Sequence, residues 1–88
     1  MSCEKPHRVL ITVEGCDACA TWKQILEPQI KSGEIEVAPI EQDRAVDLIW
    51  QAQQHPDWDR VATGVPQALE VCSLEDVKPV EVQSWRRK

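Results

Sequence analysis

Phenylalanine and tyrosine are absent from this chain of 88 residues, methionine occurs once and glycine three times. Without Phe or Tyr, the bulk of any core has to come from aliphatic side chains and four tryptophans. Glycine is too scarce for a flexible linker or a low-complexity stretch, and no internal repeat is visible. Basic residues are also few: ten Lys and Arg against fifteen Asp and Glu, a net charge of −5. That balance argues against nucleic acid as a partner, because phosphate binding needs a surplus of cations. The one basic cluster, Arg86-Arg87-Lys88, reads as a solvated tail. No apolar run approaches the length of a membrane span, and no signal-peptide core is present. Met1-Ser2-Cys3-Glu4-Lys5 reads as an ordinary soluble start, so a cytoplasmic location and no membrane partner are expected. In that setting four cysteines point to redox or metal chemistry before they point to structural staples.

The length allows one domain, taken as residues 1–88, and a plain α/β arrangement. Arg8 to Glu14 is an apolar, β-branched run closed by Gly15, the pattern of a buried strand. Trp22, Ile25, Leu26 and Ile30 then recur at helical spacing, with Pro28 predicted to kink the helix and Ser32-Gly33 to end it. Glu34 to Ile40 alternates as a second strand with Ile35 and Val37 inward. Asp43 is the expected cap of a second helix carrying Ala45, Val46, Ile49, Trp50 and Gln53, with Trp50 in the core and His55-Pro56 as the stop. Asp57 to Gly64 reads as a loop, Gln67 to Cys72 as a third strand and Lys78 to Trp85 as a fourth, with Glu75-Asp76 in the turn between. The order is β-α-β-α-β-β. The first two strands should be parallel across a helical crossover, the last two antiparallel.

Cys16-Asp17-Ala18-Cys19 falls between the first strand and the first helix. Disulfide exchange needs a thiolate, and the unpaired N–H groups of a helix start favour negative charge on sulfur. Cys16 is therefore expected at the exposed sheet end as the nucleophile. Cys19, nearly one turn on, lies deeper and is expected to resolve the mixed disulfide. Asp17 opposes the thiolate, so a reducing rather than strongly oxidising site is expected. Half of a zinc site has the same spacing, but the remaining candidates, Cys3, His7, His55 and Cys72, are scattered singly.

Thr63-Gly64-Val65-Pro66 adds a second landmark. A βα unit with CxxC at its turn, a second βα unit and a Val-Pro opening a hairpin resemble the glutaredoxin branch of the thioredoxin superfamily. The resemblance covers Arg8 to about Trp85. It implies a minimal thioredoxin fold, a four-stranded mixed sheet in the order 2-1-3-4 with helices packed on it. It also implies a cis Pro66 against the CxxC, with Gly64, Val65 and Pro66 as the edge that pairs with an extended substrate. The activity it implies is thiol–disulfide oxidoreduction on a protein or small-molecule disulfide, with Cys16 and Cys19 as the working residues. No bound cofactor is required, and the electron donor would be thioredoxin-reductase-like or glutathione-based. The glycine turn, the final acidic helix and the Lys before the CxxC that hold glutathione in that family are missing here, which disfavours glutathione as reductant. Two other readings stay open: a binding module with a vestigial CxxC, and a zinc site shared between two chains.

Among the other residues, Cys72 reads as a small buried hydrophobe far from the CxxC, with a Cys3–Cys72 disulfide a lesser alternative. Trp58 reads as a loop anchor ahead of a lid. Trp22 packs on the sheet or lies near the site, Trp85 caps the open sheet or marks a dimer contact, and Lys23 is a solvated lysine one turn beyond Cys19.

Overall fold

The computed structural model describes residues 6–61, 66–73 and 75–86. The strands are β1 (His7–Thr12), β2 (Ile35–Pro39), β3 (Gln67–Ser73) and β4 (Asp76–Val80). They form one mixed sheet in the order β2-β1-β3-β4. β1 runs parallel to β2 and antiparallel to β3, and β3 antiparallel to β4. The helices are α1 (Asp17–Ile25), α2 (Glu27–Lys31), α3 (Asp43–Gln53) and α4 (Trp58–Val61), and a 3-10 turn closes at Val82–Trp85. This is the α/β class and the sheet order expected from the sequence.

β1 is the middle of the molecule because it is apolar on both faces. Val9 and Ile11 enter one core layer with Ala38, Ala45, Leu48, Ala52, Leu69 and Val77, on the side of α3. Leu10 faces the other way, into a layer with Leu26, Ile35, Ala68 and Trp85. Burying a side chain such as Leu10 contributes about 1.5–3 kcal/mol, so a two-sided central strand anchors both layers.

Several sequence expectations need correction. The predicted first helix is two: α1 ends before Leu26, and Pro28 stands in the first turn of α2, where its missing N–H removes no helical bond. Ile25, one of the four apolar residues at helical spacing, is 37 % exposed. Asp43 is the first residue of α3; the cap position is Gln42, without a side-chain capping bond. Trp50 is not in the core. It is 65 % exposed and Val46 52 %, because α3 meets the sheet through Ala45, Leu48 and Ala52. Those small residues bring the helix close, and at 100° per residue Val46 and Trp50 then face solvent. Val37 is only half-buried, whereas Ala38 is fully covered. The loop from residue 57 contains α4. The fourth strand starts earlier, at Asp76, and ends at Val80, after which Val82–Trp85 turns Trp85 onto the sheet. Trp85 is 3 % exposed, so it is a core residue and no surface contact.

Cys72 is also corrected. It is exposed, lies where the β3–β4 register shifts between Val71 and Ser73, and is disulfide-bonded. Cys3 lies outside the described residues. No helix of the described residues is long and apolar enough to cross a membrane.

Candidate thiol site

β1 ends at Thr12, and Gly15 turns the chain toward α1 with a φ of 77°, a left-handed conformation that glycine adopts without strain. Cys16 follows as the cap of α1, with φ −90° and ψ 110°. Its Sγ accepts the backbone N–H of Cys19 at 3.0 Å, in the role a Ser or Asp oxygen plays at other helix starts. The bond supplies an acceptor to one of the N–H groups that a helix start leaves without an intrahelical partner.

The two thiols are free and sit at different depths: Cys16 is half-exposed, whereas Cys19 is 1 % exposed. Burial pushes the Cys19 thiol up from its ordinary value, and its hydrogen bond and like charge with Cys16 add to the rise. A hydrogen bond from the Val13 backbone and the charge of Lys23 act the other way, without cancelling it. Neutral, shielded Cys19 and open Cys16 are thus chemically distinct although three residues apart.

The sheet brings a second element to the same end. Gln67, the first residue of β3, is opposite Ile11, one residue before the end of β1, and Pro66 immediately precedes it. The buried Gln67 amide donates to the carbonyls of Ala68 at 2.9 Å and Val80 at 3.3 Å, tying β3 to the end of β4. An open cleft of about 180 Å³ lies there, lined by Val61, Pro66, Gln67, Val80, Glu81 and Val82. Gly64 and Val65, the other two residues of the expected substrate edge, lie outside the described residues. Gln67 and Glu81 carried no signal in the sequence; strand pairing alone puts them at this end.

The remaining candidates separate from the thiols. His55 accepts the Asp57 N–H through Nδ1 at 3.1 Å and lines a cleft with Glu75 and Asp76, where β4 begins, at the opposite end of the sheet. Trp58 packs against the Val9 layer, as an anchor would, and Trp22 packs against the Leu10 layer. Among the described residues, no group of three or more His, Cys, Asp or Glu side chains converges as a metal site. Comparison with protein-family models, with curated proteins and with solved structures finds no match to this chain.

Proposed function

We propose that the protein is a dithiol–disulfide oxidoreductase working through Cys16 and Cys19. The observation that carries this reading is the asymmetry of the pair at a helix start. Cys16 is half-exposed with its Sγ held 3.0 Å from the Cys19 amide, and Cys19 is a buried thiol one turn behind it. Cys16, as thiolate, attacks one sulfur of a substrate disulfide, forming a mixed disulfide and releasing the first substrate thiol. Cys19 gives up its proton and attacks Cys16 Sγ, which releases the second thiol and leaves a Cys16–Cys19 disulfide. Two electrons and two protons pass from the protein to the substrate. A separate donor, of the thioredoxin-reductase type before a glutathione-based one, would return the dithiol.

A cytoplasmic setting fits the free pair, since thiols there are kept reduced. The exposed disulfide at Cys72 fits it less well. Trapping thiols at the moment of cell lysis, then mapping modified cysteines, distinguishes the two settings by the state of Cys72.

The test of the function is the reduction potential of the Cys16–Cys19 pair, by equilibration in redox buffers followed by alkylation and mass spectrometry. A reversible two-electron step near or below about −270 mV is expected of a reductase. A pair that forms no disulfide at any poise would end this reading.

A further inference from the structure

The charge around the thiol pair is lopsided. Parallel β1 and β2 both end on the Cys16 side of the sheet, and antiparallel β4 ends there too, with Val80 opposite Ala68. Five exposed carboxylates occupy the segments that leave these strands. Glu14 and Asp17 flank Gly15-Cys16, Glu41 and Asp43 lie at the β2–α3 junction, and Glu81 lines the cleft beside Pro66. None of the five takes part in an ion pair among the described residues. Four cations elsewhere are engaged, Lys31 with Glu27, Arg44 with Glu36, Arg60 with Asp57 and Arg8 over the Trp85 ring, while Lys78, in the middle of β4, and Arg86, after the 3-10 turn, are exposed without an ion pair among the described residues. Lys23, whose charge reaches Cys19, is exposed and one turn further along α1.

We infer that the thiol site selects cationic disulfides, those whose S–S bond lies beside lysine, arginine or ammonium groups, and discriminates against anionic ones such as glutathione disulfide. This rests on the dithiol reading above. A substrate sulfur must come into contact with Cys16, so its neighbouring charges come close to Glu14 and Asp17 on either side. An extended cationic segment running toward Pro66 would meet Glu81 next. Unpaired surface charges of one sign raise the approach rate of the opposite sign and lower that of the same sign. The effect fades as salt shortens the screening length from about 30 Å at 0.01 M to about 10 Å at 0.1 M. The chemical step is unchanged: Cys16 thiolate cleaves the substrate S–S bond, one thiol leaves, and Cys19 releases the other.

The experiment compares three small disulfides with the reduced protein by stopped-flow tryptophan fluorescence and quenched alkylation: cystamine (cationic), hydroxyethyl disulfide (neutral) and glutathione disulfide (anionic). Each rate constant is divided by that of dithiothreitol with the same disulfide, which removes differences in leaving group. The expected result at 0.01 M salt is a normalised preference for cystamine over glutathione disulfide of about tenfold or more, with the neutral compound between. Raising the salt to 0.5 M should shrink it severalfold, and the Glu14→Gln, Asp17→Asn, Glu81→Gln variant should bring it close to one. Exchange with all three disulfides at equal normalised rates, or a preference indifferent to salt, overturns the selection while leaving the dithiol function standing. Exchange with none of them overturns both.

Discussion

Replacing Trp85 by alanine tests the packing that holds the α1 side of the sheet together. The indole is 3 % exposed and lies in one layer with Leu10, Leu26, Ile35 and Ala68. Arg8 adds its guanidinium 5.6 Å from the ring centroid. The hydrogen bond from Gln29 Nε2 to residue 85, 2.8 Å long, uses the backbone carbonyl and can persist in the variant. The loss is therefore mainly the transfer and cavity cost of a large buried ring, about 3–5 kcal/mol. The cation–π contact adds about 0.5–1 kcal/mol. A domain of this length has roughly 4–13 kcal/mol of total stability, so Trp85→Ala should remove at least about a quarter of it and, at the low end of that range, all of it. Urea titration followed by far-UV circular dichroism reads this without depending on the deleted fluorophore. Trp50→Ala, at 65 % exposure, is the internal control and should change stability by no more than about 0.5 kcal/mol. Equal costs for the two substitutions, or a Trp85→Ala cost below about 1 kcal/mol, would refute the assignment of Trp85 to the core and Trp50 to the surface.

Other substitutions separate the thiols and the charges. Cys19→Ser should accumulate a mixed disulfide at Cys16 during turnover and lose at least about a hundredfold in multiple-turnover rate, whereas Cys16→Ser should form no adduct; mass spectrometry of quenched reactions reads both. The raised Cys19 value means that the folded chain keeps this proton longer than the unfolded chain does. The resulting stability is fully present below the unfolded value of about 8.5 and is lost as pH rises through the folded one. Reduced protein should thus lose more stability between pH 8 and 10 than Cys19→Ala does; parallel urea midpoints for the two would contradict it. Glu36 behaves oppositely. Burial pushes its carboxyl up, but the His7 hydrogen bond and the Arg44 ion pair outweigh that and hold it below the usual range. Its contribution is present above about pH 4.3 and lost as pH falls through the depressed value. Glu36→Gln should cost no more than about 1 kcal/mol at pH 7, since the pair is partly exposed, and the difference should shrink as pH falls below about 4.3.

What could be read in the sequence was what local chemistry determines. The β-branched run around Leu10, the Gly15 turn and the CxxC after it fix a buried strand feeding an exposed sulfur, and the crossover rule fixes β1 beside β2. What could not be read depends on partners distant in the chain. Trp50 looked like core because it is large and in phase with Val46, yet the sheet accepts α3 through Ala45, Leu48 and Ala52 and turns the indole outward. Trp85 ended a plausible alternating strand, but its place on the Leu10 layer follows from the close at Val82–Trp85. Cys72 is hydrophobic by composition and exposed because β3 carries it past the covered part of the sheet. Gln67 and Glu81 meet at the cleft only through strand pairing, which leaves no mark on either residue's neighbours in sequence.

Asp17 shows why the site should be understood as a compromise between folding and chemistry. In the first turn of α1 its carboxylate is attracted to the positive end of the helix dipole and supports the helix start by about 0.3–1 kcal/mol. The same charge is adjacent to Cys16, where it works against a second negative charge on sulfur. The Cys19 N–H bond to Cys16 Sγ acts in the opposite sense, and it depends on the helix start that Asp17 supports. Removing Asp17 would therefore relieve the thiolate electrostatically while weakening the frame that holds its hydrogen bond. The residue becomes an advantage to the reaction itself only when the incoming disulfide is cationic. Then the charge that burdens the free thiolate is paired by the substrate at the moment of attack.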